Sequence, residues 1–389
     1  MSVYPLTGVV RPYAWGSRTI LATLQGRPVP SDGPEAELWL GAHPGDPSTV
    51  TRPDGPISLA TLIAEDPKGQ LGSEVAGEFG SRLPYLMKVL AAEAPLSLQA
   101  HPDAEYARRA FAAQEADPAA PRNYTDPYHK PEMLVALTPF RALCGFRAPD
   151  ISAAVLEDLD VPRLAPVVAA LRAGVGGLRE AVRTLLSWPA DDRRPLVDAV
   201  VAAAGDTSDA LVAELAEHYP GDPGVLVALL LNHVRLEPGE AIWLPAGNLH
   251  AYLGGAAVEI MAASDNVLRG GLTAKRVDVD ELMRVLRFEV LDEPVLRPVG
   301  VAPGVVTWPV PAREFALYRI RLDGGAGPIA VPGAGPRIVL GTDGEVAVSG
   351  AGGGGSVTVR TGAAAYAPAD VESLRVTGAG EVFVATVPE

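Results

Sequence analysis

The sequence predicts a mainly β protein that carries one helical subdomain. The chain contains 37 Pro and 41 Gly among 389 residues, and this share favours turn-rich β structure over a helical bundle. Short apolar stretches broken by turn residues dominate both ends of the chain. Only a middle stretch, about residues 151–234, changes to helical spacing. These observations indicate β domains with a helical insertion.

Composition and charge exclude several classes of protein. The formal net charge is −15, which argues against a general nucleic-acid binder because phosphate backbones require a basic surface. The single cysteine, Cys144, excludes an intrachain disulfide and favours a reducing compartment. The longest apolar run is too short to cross a bilayer, and the first residues lack a signal-peptide core. We therefore expect a cytoplasmic protein with no membrane or nucleic-acid partner, and the sequence does not indicate an oligomeric state.

The first 150 residues are predicted to form strands and loops. Apolar runs at Glu37–Gly41 and Leu83–Leu90 are bounded by Pro, Gly and Asp, which is typical of short strands. A helix is expected near Ala104–Gln114. This segment and residues 235–290 are assigned together to one domain.

The middle segment, residues 151–234, is predicted to be a helical domain. Leu178, Val182, Leu185 and Leu186 recur at the spacing of one helix face. No group of residues that suggests catalysis or ligand binding falls in this segment.

Strands are expected again from Arg235, and one more helix begins near Asp278. Glu281, three residues after Asp278, completes the pattern of a capping box. Residues 291–389 alternate in hydrophobicity between Gly-rich turns, which predicts an antiparallel sandwich or barrel. No histidine follows His250, so this third domain is predicted to be free of metal.

Two short segments place polar side chains on one strand face. In Leu96–Pro102, alternation puts Ser97, Gln99 and His101 on the same side. Lys130 and Glu132 likewise share a face, because Pro131 keeps Lys130 extended. Three buried polar groups in register require water, a ligand or a metal. A solvated edge strand with an ordinary surface ion pair is the alternative.

A third segment ends at His250. A Pro-Gly turn, a short apolar strand and a Pro-x-Gly turn precede this histidine, which is the pattern of a cupin-like barrel. Gln99, His101, Glu132 and His250 together supply two imidazoles and two oxygen donors. Such a set suits Zn²⁺ or another first-row divalent ion, and two His with one carboxylate also describe non-haem iron sites.

Basic residues supply the last candidate feature. An acidic protein that binds an anionic substrate must gather cations locally, and Lys88, Lys130, Arg269 and Lys275 are the candidates. Arg269 precedes Gly270-Gly271, where backbone can approach a ligand closely. A solvated basic turn is the alternative.

Five ordered blocks in this sequence resemble the type I phosphomannose isomerases, which are zinc-dependent members of the cupin superfamily. The blocks are Tyr13–Ser17, Ala36–Pro44, Leu96–Pro102, Asn123–Glu132 (without Tyr128) and Ser264–Leu272. The chain departs from the family pattern at Arg11, where Gln is usual, and at Ala274, where Pro is common.

The resemblance implies a fold and a set of site residues. The fold is two cupin-type (jelly-roll) β-barrels plus an α-helical insertion, with metal in the first barrel only. Gln99, His101, Glu132 and His250 would bind one Zn²⁺ per chain. The remaining implied roles are catalytic for Arg269, Lys130, His129, Glu259 and Asp265, and substrate-binding for Ser97, Lys88, Lys275, Tyr252 and Trp15.

The implied activity is interconversion of mannose 6-phosphate and fructose 6-phosphate. A proton moves between C1 and C2 through a cis-enediol, so a general base is needed. His129 has a suitable unperturbed pKa, but a regular strand would turn it away from Lys130 and Glu132, so the choice between His129 and Lys130 stays open. The rival interpretations are an Fe²⁺ cupin oxygenase and a sugar-sensing or storage cupin.

Overall fold

The computed structural model describes residues 2–119, 121–205, 210–325, 327–351 and 355–388. Strands dominate this part of the chain and are short except for three. In the first half they are β1 (Tyr4–Thr7), β2 (Val9–Arg11), β3 (Glu37–Gly41), β4 (Thr49–Arg52), β5 (Gly55–Ser58), β6 (Tyr85–Ala92), β7 (Leu98–Ala100), β8 (Glu132–Ala136) and β9 (Phe140–Phe146). In the second half they are β10 (Leu231–Leu236), β11 (Ala241–Leu244), β12 (His250–Ala262), β13 (Leu268–Gly271), β14 (Val295–Leu296), β15 (Val299–Ala302), β16 (Val305–Thr307), β17 (Ala316–Leu322), β18 (Ile329–Ala330), β19 (Arg337–Ser349), β20 (Val357–Arg360), β21 (Ala364–Ala367) and β22 (Arg375–Thr386).

Helices cluster in the middle of the chain. They are α1 (Ile20–Leu24), α2 (Leu59–Glu65), α3 (Pro67–Leu71), α4 (Ser73–Phe79), α5 (Ala104–Ala116), α6 (Pro149–Asp158), α7 (Ala165–Arg172), α8 (Val175–Leu186), α9 (Ala190–Ala204), α10 (Ala210–His218), α11 (Gly224–Ala228) and α12 (Val279–Val285). The prediction of a mainly β protein with a helical insertion is therefore confirmed. Within the described ranges, no helix is long and apolar enough to cross a membrane.

Two antiparallel sheets contain the strands. The first, here called the site sheet, has the order β14-β11-β8-β12-β6-β3-β2, with β7 and β9 paired to β12, β10 to β9 and β13 to β7. The second, the tail sheet, has the order β15-β16-β17-β22-β19-β21-β1-β4-β5, with β18 on β22 and β20 on β19. Among the described residues neither sheet closes on itself by backbone pairing, so the two cupin-type barrels stay a prediction.

Strands from both ends of the chain cross between the predicted domains. β1 pairs with β21 and β4, and β4 pairs with β5, so these three early strands belong to the tail sheet. In the opposite direction, β14 pairs with β11 of the site sheet. These pairings do not test the predicted domain boundaries at residues 150, 234 and 290, so the domain division stays a prediction.

β12 connects two halves of the site sheet. Its first residues pair with β7 and β9, and the stretch from Gly255 onward pairs with β6 and β8. Gly255 has φ +119°, and a Cβ there would lie 2.7 Å from the Pro139 carbonyl oxygen, so the bend requires glycine. A strand that passes from one half-sheet to another is how β-sandwiches turn corners.

The helical segment packs as its spacing predicts. Leu178, Val182, Leu185 and Leu186 of α8 are all buried, and they join one apolar cluster that reaches the site sheet at Ala251. Burying this face is what stabilises a helix of this length, because short isolated helices are marginal in water. The strand that follows, β10, starts within the segment predicted to be helical.

The predicted capping box of α12 forms only in part. Asp278 Oδ1 accepts a hydrogen bond from the Glu281 backbone N–H at 3.1 Å, as an N-cap does. The Glu281 carboxylate instead accepts the hydroxyl hydrogens of Tyr106 and Tyr124, at 2.8 and 2.5 Å. Tertiary partners have replaced the local bond that completes the motif.

The two sheets share one apolar core, and a buried hydroxyl links them. Leu40 and Met87 of the site sheet lie in the same cluster as Ile338 and Phe383 of the tail sheet. The Tyr85 hydroxyl on β6 lies 2.9 Å from the carbonyl oxygen of Pro336 and 3.1 Å from that of Ala385.

Removing this hydroxyl is expected to destabilise the fold. Tyr85→Phe leaves buried carbonyl oxygens without their donor, which is expected to lower the free energy of unfolding by about 1–2 kcal/mol in urea denaturation. Tyr128→Phe, at an exposed tyrosine, serves as the control, with a change within about 0.5 kcal/mol. Equal effects of the two substitutions would show that the link between the sheets contributes nothing.

Candidate functional site

Three buried side chains meet at the ends of strands in the site sheet. His101 follows β7, Glu132 begins β8 and His250 begins β12. His101 Nε2 lies 3.3 Å from Glu132 Oε2, and His250 Nε2 lies 3.4 Å from the same oxygen. All three residues are at most 1% exposed. Their donor atoms come close enough together to share one metal ion.

The hydrogen bonds of the two histidines leave both Nε2 atoms available as ligands. His101 Nδ1 lies 2.7 Å from the Asn266 carbonyl oxygen, and His250 Nδ1 lies 3.1 Å from that of Asn248. A carbonyl oxygen only accepts, so we assign the proton to Nδ1 in each ring and a lone pair to Nε2. Burial lowers the pKa of His101 to about 4, which keeps its imidazole neutral at neutral pH.

The converging donor atoms have no other use within the described part of the chain. His101 Nε2, Glu132 Oε2 and His250 Nε2 are buried and make no hydrogen bond there. Unsatisfied buried polar atoms are rare and costly, so three in one place require a partner. All three atoms present lone pairs and none carries a proton, so a divalent cation is a suitable partner.

Gln99 stands beside this cluster. On β7 it pairs with His250 of β12 on one side and with Arg269 of β13 on the other. Residues paired directly across strands share a face of the sheet, so Gln99, His250 and Arg269 project to the same side. This pairing places Gln99 next to His250 and so beside the cluster of His101, Glu132 and His250.

Glu132 is held as a carboxylate. Its second oxygen, Oε1, lies 2.9 Å from Lys130 Nζ. Burial would raise the pKa of Glu132, but the positive charge of Lys130 lowers it well below the usual value. An ionised carboxylate between two neutral imidazoles is a suitable set of metal ligands.

A cavity of about 660 Å³ adjoins the cluster. Lys130 and Arg269 line it, and they connect it to Glu132 and Gln99 respectively. Although the chain carries a net negative charge, cationic side chains outnumber acidic ones in this lining. Among the described lining residues the cationic ones are Arg11, Lys88, Arg122, Lys130, Arg269, Lys275 and Arg276, and the acidic ones are Glu37, Asp265 and Asp278. The cavity therefore suits an anion.

Lys88 lies in a buried ionic cluster on the cavity wall. Its Nζ is 3.1 Å from Glu259 Oε2 and 3.8 Å from Glu37 Oε1, and it lies 5.3 Å from the Trp39 ring centroid. Burial lowers the pKa of Lys88, but the neighbouring carboxylates raise it by more than burial lowers it. The net pKa lies above the usual value, so the amine stays protonated. Burial also raises the pKa of Glu259, whose Oε1 accepts the Tyr252 hydroxyl hydrogen at 2.6 Å.

Asp265 lies on the connection from β12 to β13, and Arg269 lies on β13 itself. Both line the cavity. The backbone N–H of Asp265 donates to Asp126 Oδ2 at 2.9 Å, which fixes the turn. Arg269 is half-buried, and burial lowers its pKa, but a guanidinium stays charged at any physiological pH.

Five residues predicted for catalysis or substrate binding are not part of this cavity lining. One of them, Glu259, pairs with Lys88 from behind the wall. His129 lines a smaller cavity of about 270 Å³, where its Nε2 is 2.6 Å from Glu314 Oε1. Trp15 stacks on Tyr13 and packs against an apolar cluster, and Tyr252 is buried behind Glu259. Ser97 directly precedes β7 and is not part of the lining.

Several residues of the cavity were not assigned a role from the sequence. His43 lines it with Nε2 3.1 Å from Asp265 Oδ2, and Arg11 lies over the Trp39 ring and pairs with Asp46. His43 falls in one of the five resembling blocks, but no spacing connects it to Asp265 so far along the chain. Only the folded chain shows the pair.

The chain is similar to known proteins over most of its length. Residues 3–149 match the family model of the phosphomannose isomerase type I catalytic domain. The mannose-6-phosphate isomerase of Escherichia coli is 40% identical over 322 residues, with 80% of this chain and 82% of that protein covered. That of Salmonella typhimurium is 38% identical over 330 residues, with the same shares covered.

The fold agrees over its full length with solved structures. A zinc-bound mannose 6-phosphate isomerase superposes with a TM-score of 0.90 and 33% identity, and all of both chains is covered. The match therefore includes the tail sheet and the helical segment as well as the blocks around the metal donors. On the extent and identity of these matches, the chain belongs to the type I phosphomannose isomerases.

Proposed function

We propose that this chain is a mannose-6-phosphate isomerase, an enzyme of mannose metabolism that interconverts mannose 6-phosphate and fructose 6-phosphate. One observation carries the proposal. In a member of this family, three buried donor atoms with no hydrogen-bond partner among the described residues adjoin a cavity whose charged lining residues are mainly cationic. The first feature fits a Lewis-acid metal, and the second fits a phosphorylated substrate.

We propose Zn²⁺ as the cofactor, with Gln99, His101, Glu132 and His250 as its ligands. Two imidazole nitrogens, one carboxylate and one amide oxygen suit this ion. When bound, a divalent ion supplies Lewis-acid stabilisation of negative charge that develops on a sugar oxygen. The protein's part is to keep the donors deprotonated, which the hydrogen bonds to His101 and His250 and the ion pair of Lys130 with Glu132 do.

Cationic residues of the cavity wall are proposed to hold the substrate's phosphate. Lys275 and Lys88 line the cavity as a substrate-binding role requires. Lys88 is already shared between two carboxylates, so Lys275 is the better phosphate ligand. Ser97, Tyr252 and Trp15 lie behind or beside the wall, and their proposed contribution is to support it.

For proton transfer between C1 and C2 the cavity offers Lys130 and Asp265. Both line it, whereas the His129 ring pairs with Glu314 at a different cavity. Glu259 is bonded to Lys88 and Tyr252 and acts through Lys88. Arg269 is proposed to hold the negative charge that develops on the enediol, because its guanidinium is not deprotonated.

The arrangement distinguishes this function from its rivals. A sugar-sensing or storage protein does not require cations beside a metal, yet Lys88, Lys130, Arg269 and Lys275 all line the cavity. An Fe²⁺ oxygenase needs open coordination positions, and Gln99 is positioned to fill one. Oxygen uptake in an oxygen electrode would support the oxygenase.

We also propose the finer architecture. β12 switches between two half-sheets that enclose an apolar cluster with Leu134 and Phe140, which supports a jelly-roll barrel in the site sheet. Residues 1–150 and 235–290 would form the metal-bearing cupin domain, 151–234 the helical domain and 291–389 the second barrel, with the edge strands exchanged as described. Cys144 is free and buried, in keeping with a proposed cytoplasmic location.

A coupled assay tests the function directly. The purified chain is expected to form fructose 6-phosphate from mannose 6-phosphate, to lose this activity on chelation and to regain it when zinc is added back. Magnesium added in place of zinc serves as the control, since Mg²⁺ prefers all-oxygen sites. The absence of fructose 6-phosphate formation by the zinc-loaded protein would overturn the proposal.

A further inference from the structure

His43 is buried in the cavity wall and is held on three sides. It follows β3 and is only 7% exposed. Its ring packs edge-on against Trp39, with centroids 4.9 Å apart. The Gly45 backbone N–H donates to its Nδ1 at 3.2 Å, and its Nε2 lies 3.1 Å from Asp265 Oδ2. A histidine fixed in this way has one orientation.

These contacts also define the tautomer. Because Nδ1 accepts a hydrogen bond from Gly45, it carries a lone pair, so in the neutral ring the proton is on Nε2. The Nε2–H therefore faces Asp265 Oδ2 at 3.1 Å, an arrangement in which a neutral imidazole orients an ionised carboxylate.

The backbone of Asp265 is fixed independently of His43. Its N–H donates to Asp126 Oδ2 at 2.9 Å, and the neighbouring Ser264 hydroxyl donates to Asp126 Oδ1 at 2.8 Å. Only the side-chain rotamer of Asp265 remains to be set, and the bond to His43 sets it. The Asp265 side chain is half-exposed to the cavity, and Oδ1 has no hydrogen-bond partner among the described residues.

His43 and two nearby lysines all lower the pKa of Asp265. The hydrogen bond from His43 is the largest influence and lowers the pKa of Asp265, burial opposes it, and Lys130 and Lys88 lower the pKa further. Asp126 is a further charged group in contact with the turn, through the Asp265 backbone N–H. Without His43, the pKa of Asp265 is expected to rise.

We propose that His43 is a positioning residue that holds the Asp265 carboxylate in one rotamer, with Oδ1 directed to a sugar hydroxyl or the C1–C2 carbon hydrogen. The inference rests on the proposed isomerase function and deepens it, because it assigns the pair that prepares a proton acceptor in the cavity. Asp265 would take the carbon-bound proton as a carboxylate and return it to the adjacent carbon, while the hydroxyl proton passes between O1 and O2 of the same sugar, so no co-reactant is needed.

His43→Ala and His43→Gln test the proposal. For His43→Ala, kcat is expected to fall about tenfold or more, the effect of losing one hydrogen bond to a charged group, with little change in KM. The acid limb of the kcat/KM profile is expected to move to higher pH, since the Asp265 carboxylate then protonates more readily. Gln can place an amide N–H near the position of Nε2, so His43→Gln is expected to restore part of kcat and of the profile.

A double-mutant cycle separates this role from a purely structural one. If His43 acts through Asp265, His43→Ala is expected to cause no further loss in an Asp265→Asn background. His218→Ala, at an exposed histidine on α10, is the control for general effects, with zinc content and Tm measured for every variant. Additive losses, or an unmoved acid limb in His43→Ala and His43→Gln alike, would overturn the proposal. Failure of the wild-type chain to isomerise mannose 6-phosphate would instead overturn the proposed function.

Discussion

Glu132→Ala is expected to remove the bound zinc and the isomerase activity together. Glu132 Oε2 is the atom that both His101 Nε2 and His250 Nε2 face, at 3.3 and 3.4 Å. Without it the two imidazoles have no anionic partner, and the Lys130 ammonium, 2.9 Å from Oε1, is left beside the metal position. Loss of a ligand charge and a nearby unpaired cation both weaken binding of a divalent ion.

The measurement is zinc content by atomic absorption, with turnover measured on the same preparation. Wild type is expected to hold one zinc per chain, and Glu132→Ala close to none. Glu93→Ala, at an exposed glutamate that directly follows β6, is the matched control and is expected to keep both zinc and activity. Full zinc content in both Glu132→Ala and His250→Ala would refute the ligand assignment, and a normal Tm for the variants would exclude unfolding as the cause of metal loss.

The proposed metal donors could be nominated from the sequence because each lies in a short segment with a local signal. Alternation along Leu96–Pro102 placed Gln99 and His101 on one face, and β7 then sets Gln99 directly beside His250. Likewise, the apolar spacing that predicted α8 is local, and its face is buried as expected. Such periodicities depend only on neighbouring residues and survive in the fold.

Pairings between distant segments could not be predicted in this way. Nothing in the short strand Tyr4–Thr7 indicates that it pairs with Ala364–Ala367 of the tail sheet, because many strands of similar pattern compete for that edge. The same limit applies to side chains. His129 was a candidate base because an unperturbed imidazole has a pKa near neutrality. Its partner Glu314 comes from the far end of the chain, and no local pattern shows that contact.

Arg269→Ala is expected to leave zinc bound while turnover falls by about 10²-fold or more, the effect of removing a group that stabilises charge in the transition state. Arg269 is half-buried, and within the described residues no carboxylate pairs with it. Burial is accordingly the influence that lowers its pKa. A desolvated cation without an anionic partner is costly to the fold, so its position on the cavity wall is explained by an anion that arrives with the substrate.

The expected effect of Arg269→Ala on stability differs in direction from its effect on turnover. Arg269→Ala removes an uncompensated charge, so Tm is expected to stay the same or rise while kcat falls, the exchange of stability for activity found at functional sites. Arg269→Lys tests geometry, because it keeps the charge but loses the planar fork of donors. Arg235→Ala, an exposed arginine outside the cavity, is the control. An unchanged kcat in Arg269→Ala would exclude the electrostatic role, and loss of zinc would show that Arg269, beside Gln99 in the sheet, acts on the metal site instead.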